Sequence, residues 1–190
     1  MIRGSIRQRL NAPHLTGPGS PPKEIQDNID EYHRGKKMNE IVADMFSEKV
    51  VNLANAICLT TNGFVKKNGC CVMGAGNAKQ ARDKFDGIDR TLGNLIKENG
   101  NIVQIIHRVI DTDIVAFPVK HNWWEKADKD LVDISTRSLV WLTNNMGWEK
   151  VILPRPGCHN GKLKWLSEVK PILKEYLDNR FYIINLPGKY

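Results

Sequence analysis

The sequence predicts an α/β protein, a three-layer α/β/α sandwich around a central sheet of about six strands. Three observations carry that reading. From Met38 onward, short β-rich runs alternate with segments of helical periodicity. The β-rich runs are nearly continuous in apolar residues, which is the pattern of strands covered on both faces. Finally, 190 residues supply one core of ordinary size and not two. No internal repeat is visible.

No element is expected at the start of the chain. Residues 1–37 hold four prolines and four glycines, with NAPHLTGPGSPP at 11–22, and such a density of breakers stops helix and strand alike. We read 1–37 as a flexible basic tail or leader and 38–190 as the folded domain. A short amphipathic segment at 24–33 is a helix candidate with little to bury. The tail lacks the apolar core of a secretory signal, while its first 22 residues carry arginine and no acid, which keeps a transit peptide as a lesser alternative.

The elements then follow in order. Residues 39–43 (NEIVA), 55–60 (NAICLT), 102–107 (IVQIIH), 113–119 (DIVAFPV), 151–154 (VILP) and 181–186 (FYIINL) are strand candidates, rich in β-branched residues and bounded by polar turns. Helical patterns occupy 75–85, 89–99, 129–146 and 165–179. In the third, Leu131, Ile134, Leu139, Leu142 and Met146 recur at three- to five-residue steps; in the fourth, Trp165, Val169, Ile172, Tyr176 and Leu177 do the same.

Composition narrows the function classes. No apolar run approaches the roughly 18 residues of a membrane span, so no membrane partner is expected. Of the net charge of +7, the first 37 residues hold +3, with seven basic against four acidic residues, leaving a body that is only mildly basic. That charge permits a polyanionic partner and is equally what a solvated basic surface looks like. Cys58, Cys70, Cys71 and Cys158 form no C-x-x-C pair, which fits a reduced, cytoplasmic setting. His14, His33, His107, His121 and His159 show no metal-ligand spacing, so neither a metal nor another cofactor is expected.

Sheets of this kind bind ligands beyond the strand ends, so the loops that leave the strands decide function. One runs from Thr60 to Ala81, TTNGFVKKNGCCVMGAGNAKQA, with glycines at 63, 69, 74 and 76 ahead of a helix. Glycines there let backbone N–H groups and the positive helix end approach an anion. It is neither a Rossmann fingerprint nor a Walker loop, and the same glycines also suit tight turns. The second, LPRPGCHNGKLKW at 153–165, again passes from strand through glycine to helix. Two such loops would hold two phosphates, and a diphosphate is the economical ligand. Cys158 and His159 suggest a thiolate and its base, but adjacent side chains rarely point at one another. Trp123 and Trp124 follow Lys120 in a polar loop. At least one is expected to cover the sheet; an exposed one could stack a base.

The order IVADMF (41–46), NAICLTTNGFVKKNGCCVMGAGNAKQA, FPVKHNWW (117–124), PRPGCHNGKLKW resembles a macro domain, the ADP-ribose-binding fold, over about 38–186. The likeness is to the branch that holds DarG antitoxins and the human terminal ADP-ribose glycohydrolase. It implies a mixed central sheet, a monomer, and ADP-ribose or an ADP-ribosylated macromolecule as partner, with nucleic acid open as the modified acceptor. The activity implied is that of an ADP-ribosyl hydrolase; a non-catalytic ADP-ribose reader and an ADP-ribose 1″-phosphate phosphatase are the alternatives. The phosphatase is disfavoured because Leu59 stands where that subgroup has a histidine.

Carried over by position, the resemblance implies that Asp44 binds the adenine amino group and Asn62 the distal ribose, with Leu59 replacing a neighbouring family asparagine. Gly74, Ala75 and Gly76 would bring backbone close to the distal ribose and phosphates. Gly157, Cys158, His159, Asn160, Gly161 and Lys162 would form the loop that closes over the diphosphate. Lys120, ending FPVK, matches the branch's nucleophilic lysine, which attacks the anomeric carbon and passes through a ring-opened Schiff base. The amine must be neutral for that, so burial or a nearby cation has to lower its pKa. Gly161 stands where the human-type loop has a catalytic aspartate, a departure that favours the DarG-like loop.

Overall fold

The structure, a computed structural model, describes residues 37–185. The tail up to residue 36, with its helix candidate at 24–33, and the last residue of the sixth expected strand lie outside the described residues.

Six strands form one sheet: β1 (Asn39–Val42), β2 (Ala56–Asn62), β3 (Gln104–Val109), β4 (Thr112–Lys120), β5 (Val151–Pro154) and β6 (Phe181–Asn185). Their order is β1-β6-β5-β2-β4-β3. Every pairing is parallel except β3 with β4, so the sheet is mixed, as expected. The central strands are buried throughout: all nine residues of β4 are buried, as are the first four of β2. Pro118 cannot donate to a ladder, but β3 pairs with β4 only as far as Ala116, so its missing N–H interrupts nothing on that side.

Side chains alternate along each strand and feed two separate cores. Ala56, Cys58, Val115 and Phe117 pack under α4 (Lys129–Met146) and α5 (Lys170–Tyr176). Ile57, Leu59, Ile114 and Ala116 pack under α1 (Glu48–Leu53), α2 (Gly76–Lys84) and α3 (Ile88–Asn99). This is the three-layer α/β/α sandwich. The long helix α4 starts where Asp128 accepts hydrogen bonds from the Asp130 and Leu131 N–H groups, and it ends at Gly147 in the left-handed region.

Two local features differ from the sequence expectation. Helix α1 has six residues and buries only Val51, too short a stretch for periodicity to register. The expected helix at 165–179 opens instead with a π-helical turn, Trp165–Val169, before α5. Pro171 explains it: a residue with no N–H at the head of α5 cannot continue a regular ladder from the preceding turn.

Candidate functional site

The C-terminal ends of β2, β4, β5 and β6 converge, and a cleft of about 980 Å³ opens there. That is the upper end of the usual size for a ligand pocket. Both glycine-bearing loops border it. At the first, Ala75 caps α2 and Gly76 adopts φ +58°, so the unpaired N–H groups of the first helical turn lie beside the cleft. Thr60 Oγ1 donates to Asn77 Oδ1 at 2.8 Å, fastening that helix end to the tip of β2.

The second loop is stapled in place. Leu163 N–H donates to Gly157 O at 3.0 Å, Lys162 N–H to His159 O at 3.2 Å, and Ala127 N–H to Gly161 O at 2.9 Å. Gly161 tolerates no side chain, because a Cβ there would stand 2.4 Å from Gly157 O and 2.6 Å from the Ala127 Cβ. The absence of a loop carboxylate at this position therefore has a steric basis as well as a sequence one.

Among the described residues, three cations, Lys66, Lys120 and Arg155, line the cleft, and no Asp or Glu does. Such a wall favours an anionic ligand and offers no carboxylate for general acid or base work. Lys120, at the end of β4, is only 9% exposed. Its Nζ donates to Asn160 O at 2.9 Å and reaches Trp123 O at 3.5 Å. Its main chain is pinned as well, since Asn101 Nδ2 donates to Lys120 O at 2.9 Å. Burial lowers the Lys120 pKa from the ordinary lysine range, the Lys162 ammonium adds to that, and Glu125 opposes it. Both Glu125 oxygens are already occupied by Asn122, through its N–H at 2.8 Å and its Nδ2 at 2.7 Å.

The residues singled out in the sequence mostly meet here. Lys120, Asn62, Gly74, Ala75 and Gly76 line the cleft, as do Gly157 to Gly161 from the opposite loop. Asn62 pairs with Lys120 across β2 and β4, beside a bulge between Thr61 and Asn62. Its side chain braces the loop: Nδ2 donates to Val72 O at 2.8 Å and Oδ1 accepts from Phe64 N–H at 3.1 Å. Two residues stand apart. Asp44 is exposed and does not line the cleft; its Oδ1 accepts from Phe46 N–H at 2.9 Å, turning the chain so that its neighbour Met45 lines the wall instead. Lys162 is also exposed, on a backbone with φ +61°, and acts on the site through its charge.

Cys158 does line the cleft, but burial pushes its thiol up to about 11, and His159 Nδ1 lies 3.2 Å from Asn160 Oδ1, so no thiolate and base pair is built. Neither tryptophan covers the sheet, contrary to expectation: Trp123 and Trp124 are 53% and 58% exposed. They meet edge to face at 5.5 Å, and Phe64 packs on Trp124 at 5.3 Å, making an aromatic rim at the Lys120 end. Phe64 and Lys66 escaped the sequence reading because they lie in a glycine-broken loop with no periodicity. Among the described residues, no group of three or more His, Cys, Asp or Glu could hold a metal, and no helix is long and apolar enough to cross a membrane.

A mixed six-stranded sheet in this order, with a cleft at the strand ends closed by two glycine loops, is the macro domain fold. No family model and no curated protein matches the sequence. Among solved structures, the chain is similar to the macrodomain of Mycobacterium tuberculosis DarG, with 19% identity and a TM-score of 0.63 over 79% of this chain and 98% of that one. The macrodomain of Thermus aquaticus DarG gives 22% and 0.63 over 80% and 100%. The Thermosipho africanus DarTG in complex with ADP-ribose gives 19% and 0.64 over 88% of this chain and 52% of that one.

Proposed function

We propose that the cleft binds ADP-ribose and that the protein is an ADP-ribosyl hydrolase, releasing ADP-ribose from a macromolecular acceptor with Lys120 as nucleophile. The observation that carries the reading is the convergence on one cleft, with no acid on its wall among the described residues, of both glycine loops and a buried lysine with a lowered pKa. Helix N–H groups and Arg155 suit a diphosphate. The Thermosipho structure with ADP-ribose in a similarly folded chain lends the ligand its identity.

The chemistry follows from the lysine's surroundings. A neutral Lys120 that donates its two N–H bonds toward the Asn160 and Trp123 carbonyls keeps its lone pair turned away from both. That pair attacks the anomeric carbon of the distal ribose and the bond to the acceptor breaks, the acceptor taking the proton that the alkylated Lys120 nitrogen gives up. The furanose C–O bond then opens to give an iminium on Lys120. Water adds to it, its proton passing to the freed ring oxygen; the carbinolamine expels the amine, which takes the hydroxyl proton, and ADP-ribose leaves as the ring recloses on the aldehyde with the enzyme restored.

Nucleic acid is the acceptor class that the rim favours. Phe64, Trp123 and Trp124 present aromatic faces beside the nucleophile, with Lys66 and Lys67 exposed on the same loop as Phe64. Trp124→Ala should slow release from ADP-ribosylated single-stranded DNA about tenfold and leave affinity for free ADP-ribose unchanged, a loss in line with one stacking contact. Equal slowing on an ADP-ribosylated protein substrate would remove the nucleic-acid preference. Product analysis after incubation with both substrates tests the hydrolase itself; binding without release from either makes the protein a reader.

Binding has its own test. Calorimetry should give micromolar-scale affinity for ADP-ribose and far weaker affinity for AMP, which lacks the second phosphate and the distal ribose. Equal affinity for the two would remove ADP-ribose as the ligand.

A further inference from the structure

The first part of the long loop after β2 is a hairpin that leads away from the cleft. Val65 and Cys71 form an antiparallel bridge, Val72 N–H donates to Phe64 O at 3.1 Å, and Lys66 N–H donates to Cys70 O at 2.9 Å. Phe64 and Val72 at its base line the cleft, as does Lys66, while the tip, closed by Gly69 N–H donating to Lys66 O at 2.9 Å, lies beyond it. The hairpin docks on α3 backbone to backbone: Cys71 N–H donates to Asp89 O at 2.8 Å, and a Cβ at Gly93 would overlap the Gly69 carbonyl oxygen. That close approach carries Arg90 and Lys97, one turn of α3 before and one after Gly93, over the tip. A Cβ on Gly69 would stand 3.5 Å from Arg90 Nη1 and 3.7 Å from Lys97 Nζ, so the two cationic heads converge on one point of the surface. Arg90 Nη1 is fixed there, donating to Asn68 O at 3.1 Å.

Lys66 and Lys67 on the tip bring the positive charge of this patch to four, all of it exposed. Among the described residues, none of the four makes an ion pair, and Asp89 and Glu98, the acids next in sequence to the two helix cations, pair with none of them. Like charges gathered without an acid repel one another and attract a polyanion. Two converging heads, one of them a guanidinium, suit a single phosphate group. Phe64, at the base of the same hairpin, meets Trp124 edge to face at 5.3 Å and adds flat apolar faces on the side of the cleft. An acidic peptide would answer the charge alone; a strand that alternates phosphates with bases answers both features.

We propose that the hairpin tip and α3 form a phosphate-binding site outside the cleft, in which Arg90 and Lys97 hold one backbone phosphate of the single-stranded nucleic acid that carries the ADP-ribose. The assignment rests on the reading of the cleft as an ADP-ribose site with a nucleic-acid acceptor. The strand leaves the cleft along the hairpin, past Phe64 and Trp124, and is anchored at the tip, so that acceptor and ADP-ribose are held by separate elements.

The double variant Arg90→Gln/Lys97→Gln tests the site, since both side chains are exposed. Its affinity for an unmodified single-stranded oligothymidylate should fall about tenfold, and its plot of log affinity against log salt should be shallower by about 0.7, the counterion release that accompanies one phosphate. ADP-ribose affinity should be unchanged, which also reports an intact fold. On an ADP-ribosylated oligonucleotide, KM should rise while kcat holds. A charge-matched control, Lys129→Gln/Lys174→Gln on α4 and α5 across the sheet, should leave oligonucleotide affinity nearly unchanged. Equal weakening by the control would reduce the effect to net charge and overturn the proposal, as would oligonucleotide affinity that Arg90→Gln/Lys97→Gln leaves untouched. An equal loss of affinity for polyglutamate overturns it too, because the patch would then serve acidic chains in general. Failure of the ADP-ribose reading looks different: the wild type would bind no ADP-ribose, whereas the oligothymidylate titration needs neither ADP-ribose nor turnover and still reports on the patch.

Discussion

Lys120→Ala is expected to reduce release of ADP-ribose from a macromolecular substrate by orders of magnitude while ADP-ribose affinity stays within about tenfold, or about 1.4 kcal/mol. The asymmetry follows from geometry. The diphosphate-suited loops lie on other elements, and the Lys120 side chain touches them through the Asn160 carbonyl alone among its close contacts. Borohydride reduction in the presence of ADP-ribose should leave an adduct on Lys120 in the wild type and none in the variant. The pH dependence has a definite sign. Burial and the Lys162 charge lower the Lys120 pKa, so the reactive neutral fraction grows as pH rises and reaches its plateau below the pH that an ordinary lysine would need. Wild-type turnover that Lys120→Ala matches would move the attack to a bound water.

Gly161→Asp should abolish ADP-ribose binding and turnover rather than add a catalytic carboxylate. A Cβ at that position meets Gly157 O at 2.4 Å, a backbone atom of the same loop, and the Ala127 Cβ at 2.6 Å. The loop can admit it only by moving, and with it moves the Asn160 carbonyl that holds Lys120 Nζ. Gly161→Ala should therefore do nearly as much harm as Gly161→Asp, because the collision begins at the Cβ and not at the charge. Circular dichroism should report an intact fold in both, since the damage is confined to one loop. A gain in activity from Gly161→Asp would mean that the loop has room after all and that a carboxylate assists the reaction.

Much of the architecture was legible in the chain because it depends on patterns within a few residues. Apolar runs such as AICL and DIVAFPV become strands buried on both faces, and of the helix-like series Leu131, Leu139 and Leu142 become the buried stripe of α4 while Ile134 is exposed, contrary to expectation, and Met146 only half-buried. Where the local signal was weak or split, the reading fell short. Six residues at α1 are too few to display a period, and Pro171 divided one expected helix into a π-helical turn and α5.

The candidate site divides along the same line. Glycines ahead of helices, and a lysine closing a strand, are marks a sequence can carry, because each states a backbone requirement or a chemical group at a definite place. What decides their use is distance between segments far apart in the chain. The Asn160 carbonyl that holds Lys120, the bond from Thr60 to Asn77 and the exposure of both tryptophans all depend on which side chains face one another across the strand ends. The same holds for the absence of acids from the cleft wall among the described residues: Asp and Glu are plain in the sequence, but only the packing of the three layers decides which of them face the cleft. Local sequence determined the layers, the loops and the reactive group. The tertiary structure decided charge, burial and partnership, because electrostatic and hydrogen-bond energies act through space and not along the chain.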